Sequence, residues 1–146
     1  MPAPAKKKPE EINPGELTEP SLSEEEWKEY MSGWDLFNRG EFWHAHEAWE
    51  SVWKRRTEDS RIFFQGIIQL AAALHLLMKA DRFDGMIRNF EKAEKKLRLF
   101  PEYFLRTNVR ALLWSLEQVR EEALRLGPDN LRRFDRTLLP GVTLTD

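Results

Sequence analysis

Between Ile62 and Met78 the chain reads IFFQGIIQLAAALHLLM, with Gln65, Gln69 and His75 as its only polar side chains. At the period of a helix this leaves no polar face wide enough to meet water. Such a helix must be covered on nearly every side, either by protein or by lipid. A bilayer span needs roughly 20 apolar residues. This run is shorter, carries two amides and an imidazole, and lies between amphipathic segments. The expectation is a central helix sheathed by others, with no membrane partner.

The flanking segments supply the sheath. In SLSEEEW, Ser23 stands three residues before Glu26, the spacing of a reciprocal capping box, so a helix starts near Glu24. It carries Trp27, Tyr30, Met31, Trp34 and Phe37 on one face and ends at Gly40. A second helix runs from about Phe42 to Arg55, and RTEDS is a loop whose Asp59 or Ser60 caps the third. Asp81 is expected to cap a fourth helix reaching about Leu99, where Pro101 breaks it. Thr107 or Asn108 then opens a fifth that ends at Gly127-Pro128. No strand pattern is evident. The fold class is therefore all-α, a single bundle of about five helices around a central apolar one. Residues 1–20 are proline-rich and poor in apolar side chains, which predicts a disordered tail. Residues 21–136 form the helical domain, and 137–146 an extended C-terminal tail.

Composition narrows the function. The 23 basic and 25 acidic residues give a net charge of -2, so no global excess draws the chain to nucleic acid or an anionic membrane. The arginines of the C-terminal third alternate with acids, the pattern of a solvated, salt-bridged face. The absence of cysteine removes disulfides, thiolate metal sites and cysteine nucleophiles, and suits a reducing compartment. The N-terminal segment lacks the apolar stretch of a secretion signal, so the expected location is the cytoplasm. There is no glycine-rich phosphate loop, and Glu-x-x-His does not occur on each of two helices as a di-iron bundle requires.

Shifting the chain by 41 positions lays Leu36 on Leu77, Phe42 on Phe83, Trp49 on Phe90 and Glu50 on Glu91. The chain thus repeats a helical hairpin of tetratricopeptide-like form. Two units are too few for a solenoid, so the hairpins close into one bundle. Glu50 has a counterpart, and hairpin packing is open to it as a role. His46 and Glu47 fall opposite Ile87 and Arg88, and the repeat does not explain them.

Those two residues belong to EFWHAHEAWESVW, which contains His46-Glu47-x-x-Glu50 on the second helix. His46 and Glu50, four apart, reach toward one point. They are candidate ligands for a divalent metal such as zinc or manganese, with His75 as third ligand and Glu47 as the base that takes a proton from bound water. The competing reading makes His46 a hydrogen-bonded residue at the core edge, oriented by a neighbouring carboxylate. Gln65 and Gln69, also four apart, either line a polar pocket facing the motif, with Trp53 beside them, or bond to nearby backbone. His44 projects to the opposite side.

Taken together, LFNRGEFWHAHEAWESVW and FFQGIIQLAAALHLL resemble the bacterial and archaeal family called domain of unknown function family 309. The resemblance rests on Phe37, Gly40, Phe42, His46, Glu47, Glu50 and Trp53, then on Gln65, Gly66 and Gln69. It does not extend to His44. It implies a small all-helical domain, for which a metal-dependent hydrolase activity has been suggested. Three functions follow as alternatives: such a hydrolase, a helical binding or assembly domain that takes a protein partner or a second copy of itself, and a small-ligand pocket without chemistry.

Overall fold

The computed structural model describes residues 7–146. The apolar run forms α3, Ile62–Lys79, entered through a 3-10 turn at Asp59–Arg61. Taken together, Asp59–Lys79 is long and apolar enough to cross a membrane by length and composition. In this fold protein takes up its apolar surface: α2 (Phe42–Arg55) lies on one side and α4 (Phe83–Leu97) on the other. Tyr30 of α1 (Glu24–Asn38) sets its ring against Phe63 and Phe64. The last helix, α5 (Val109–Asn130), packs on α4 and breaks at Gly127, whose φ is 73°. The architecture is an all-α bundle of two successive hairpins, α1–α2 and α3–α4, followed by α5.

Local chemistry explains most boundaries. The Ser23 hydroxyl accepts from the Glu26 N–H while the Glu26 carboxylate accepts from the Ser23 N–H, as the spacing predicts. The same carboxylate, buried, accepts from Arg56 at 3.1 Å and so ties the start of α1 to the end of α2. Asn108 caps α5 by accepting from the Ala111 N–H. Two expected caps are not formed. Arg61 precedes α3 without a side-chain cap, because a 3-10 turn closes that junction with backbone bonds. Asp81 accepts from the Arg82 N–H, one residue short of the helix, because Ala80 and Arg82 are both left-handed and their turn points the carboxylate away from the first turn of α4.

A two-residue antiparallel ladder, β1 (Tyr103–Phe104) with β2 (Thr107–Asn108), joins α4 to α5. Elements this short carry no alternation to read in sequence. Their turn, Leu105-Arg106, is left-handed at both residues. It is held from the core: the buried Tyr30 hydroxyl donates to the Leu105 carbonyl at 2.8 Å and shares a 2.7 Å bond with Thr107. Burial raises the Tyr30 phenol far above its ordinary pKa, so it stays a donor.

Of the segment expected to be a tail, residues 1–6 lie outside the described residues. From Lys7 onward it lies along the bundle: Lys7 pairs with Asp59 at 2.7 Å, Ile12 is buried, and the Glu19 carboxylate accepts from the Leu105 N–H. The extended C-terminal segment crosses α1, where Asn38 exchanges two hydrogen bonds with Val142.

Two glycines set how closely the helices approach. The Trp49 ring lies on the bare backbone of α1, where a Cβ on Gly33 would stand 2.1 Å from Nε1. That nitrogen donates to the Tyr30 carbonyl at 3.0 Å. On α3, a Cβ on Gly66 would meet Leu97 Cδ2 at 2.9 Å.

Gly33→Ala is expected to lower stability in urea by about 3 kcal/mol or more, since a rigid buried indole cannot yield. Gly66→Ala should cost less, because the clashing atom ends a flexible side chain. Tyr30→Phe should cost about 1–3 kcal/mol, as it leaves the buried Leu105 carbonyl and Thr107 hydroxyl only their long 3.4 Å bond to one another.

Candidate functional site

On α2, Phe42, Ala45, Trp49, Val52 and Trp53 are buried. His46 and Glu50 stand at the edge of that stripe, one helical turn apart. With Trp49 held on α1, this edge faces α3, and a cavity of about 240 Å³ opens between them. His46, Glu50 and Trp53 of α2 form one wall; Gln65 and Gln69 of α3, over Ile68 and Ala72, form another; Asn89 of α4 completes the lining.

The polar groups of this cavity are unequally satisfied. His46, with its side chain 17% exposed, holds Nδ1 3.7 Å from Glu50 Oε2. That is too long for a hydrogen bond, and Nδ1 is buried without a partner. Burial pushes the His46 pKa below its usual 6.5, against the opposing pull of Glu50 and Glu47, so the ring is neutral at pH 7. The other Glu50 oxygen pairs with Lys54 at 3.2 Å. Gln65 is only 8% exposed, and its amide makes no hydrogen bond among the described residues. Gln69 Oε1 accepts from the buried Lys96 Nζ at 2.8 Å. Asn89 Nδ2 donates to the Gly85 carbonyl at 3.1 Å.

Of the residues singled out in sequence, His46, Glu50, Trp53, Gln65 and Gln69 come together here. Glu47 and His75 do not join them. Glu47 is exposed, lies 3.3 Å from His44 Nδ1, and borders a second surface hollow with Ser51, Lys54 and Arg55, on the other side of Glu50, which lines both. His75 packs at 5.2 Å against Trp43, whose ring also stacks on His46 at 4.6 Å and 9°. Burial, then Lys79 and His46, lower the His75 pKa. Among the described residues no three His, Asp or Glu side chains converge as a metal-holding group. A catalytic zinc centre uses three protein ligands and an open position. The cavity lining brings one imidazole, one carboxylate and three amides.

Sequence reasoning missed Asn89, Lys96 and the stacking role of Trp43. A signal for the first two exists. Asn89, Ala93 and Lys96 follow four- and three-residue steps on α4, and Ala93 and Lys96 are buried, which puts a polar pair on an inward face.

Residues 30–89 match the family model described as Domain of unknown function (DUF309), and this match supports the chain's assignment to that family. The matched span holds every residue that lines the cavity. No curated protein matches the chain.

The two depressed imidazoles carry a pH dependence. Unfolded, each binds a proton near pH 6.5; folded, each binds one only at lower pH. The unfolded chain therefore takes up more protons as pH falls through that window, and stability present above about 6.5 is lost below it. The urea midpoint is expected to fall between about pH 7.5 and pH 5.5, and His46→Gln should flatten that fall.

Proposed function

We propose that this member of the family binds a small polar molecule in the cavity between α2, α3 and α4, with His46 and Glu50 anchoring it. One observation carries the reading: of the residues that line the cavity, His46 has its Nδ1 buried without a partner, and Gln65 has an amide that makes no hydrogen bond among the described residues. A buried polar group left unpaired costs about 1–3 kcal/mol. A ligand that bonds to both recovers that cost while displacing the water that such a polar space would otherwise hold. The volume lies below the roughly 300–1,000 Å³ of drug-sized ligand sites, so the occupant is small. Trp53, Ile68 and Ala72 give it an apolar wall.

The hydrolase reading draws on the same pair. His46 and Glu50 would hold a divalent ion, with amide oxygens as the remaining donors. The position of Glu47, exposed and beside His44, favours binding over hydrolysis.

Melting curves of untagged protein separate the two. Small polar fragments that occupy the cavity should raise Tm by mass action. The gain should vanish in Ala72→Leu, which fills the apolar wall, and zinc or manganese should leave Tm unchanged. A rise with either metal in the wild type, absent from His46→Ala, would replace the binding reading with the metal one.

A further inference from the structure

The polarity of the cavity is fixed by groups behind it, and this points to a class of ligand. An amide can face either way, but its partners here have only one role each. The Lys96 ammonium can only donate, so Gln69 turns its oxygen to Lys96 and leaves its NH2 for the cavity. The Gly85 carbonyl can only accept, so Asn89 turns its NH2 to that carbonyl and leaves its oxygen. Glu50, with one oxygen committed to Lys54, leaves Oε2 as an acceptor. Beside the neutral His46 ring, which brings one donor and one acceptor, the cavity lining therefore offers one fixed donor and two fixed acceptors. The amide of Gln65, a residue only 8% exposed, is able to serve in either sense.

We infer that the ligand carries a primary carboxamide or ureido head group, one carbonyl oxygen and an NH2, attached to a small apolar body. The inference rests on the binding reading above. The carbonyl takes the Gln69 NH2, and the two amide protons go to Asn89 Oδ1 and Glu50 Oε2. The body lies against Trp53, Ile68 and Ala72. A carboxylate head brings no proton for either acceptor and sets its charge against Glu50. An ammonium head leaves the Gln69 donor unmet and stands near Lys96. Each mismatch strands a buried polar group, which weakens binding by about tenfold or more.

Three pyridines of nearly one size test this: nicotinamide, nicotinate and 3-(aminomethyl)pyridine. Each is titrated into the full chain and followed by NMR at the side-chain amides of Gln65, Gln69 and Asn89 and at the Trp53 indole. Nicotinamide is expected to shift these signals and to bind about tenfold or more tighter than the other two. Gln69→Glu keeps the bond to Lys96 but replaces the donor with an acceptor, so it should fold normally and lose nicotinamide by a similar factor. If nicotinate or the amine binds best, and Ala72→Leu abolishes that binding, the head-group assignment is overturned while the binding reading stands. Equal nicotinamide affinity in Gln69→Glu also overturns it. Should none of the three shift the cavity signals, the head-group assignment fails, and the broader fragment set decides the binding reading separately.

Discussion

The contact of the Trp49 indole with the backbone of α1 at Gly33 sets the geometry on which the rest of the molecule depends. Trp49 is fully buried, and its Nε1 donates to the Tyr30 carbonyl. An anchored ring fixes the rotation of α2 about its own axis as well as its distance from α1. Residues one position away on that helix surface inherit the rotation, so His46 and Glu50 face α3 and His44 and Glu47 face solvent. Tyr30 extends the same constraint to the far end of the chain. Its carbonyl receives Trp49, and its hydroxyl holds the left-handed turn at Leu105-Arg106 that starts α5.

The cavity combines this rigid frame with polar groups that the frame does not satisfy. Lys96 and Gly85 engage one half of the Gln69 and Asn89 amides and leave the other half of these two lining residues without a protein hydrogen bond. In surroundings of low dielectric such bonds are strong when made and costly when missing. His46 follows the same logic: burial outweighs two nearby carboxylates and keeps its imidazole neutral. Trp43, stacked flat on that ring, restricts its orientation from the outer side.

Features that rest on local chemistry were legible in sequence, and those that rest on distant contacts were not. The capping box at Ser23, the burial of α3 and the break at Gly127 follow from neighbours a few residues apart. The left-handed turns at Ala80, Arg82 and Leu105-Arg106 use no glycine, so no residue type marks them; the second is imposed by Tyr30 from across the core. At the site, the i,i+4 pairs His46/Glu50 and Gln65/Gln69 lie on helix faces that line one cavity. His75 did not reach them. It lies six residues past Gln69, about 9 Å farther along the α3 axis, and at that level α2 presents Trp43 instead of the motif.

The hairpin repeat explains where the site sits. Under the same shift, His46, Glu50 and Trp53 of α2 correspond to Ile87, Glu91 and Glu94 of α4. Glu91 is exposed, so its match with Glu50 reflects no shared packing role. Glu94 bonds with Arg98 and with Arg120 of α5, joining α4 to the last helix through ion pairs. One register position thus closes a helix contact in the second hairpin and borders an open space in the first. The buried stripe, Trp49 and Phe90 among it, is what the repeat preserves. The cavity lies at the junction of the two hairpins, and of its α2 wall the repeat duplicates only Glu50.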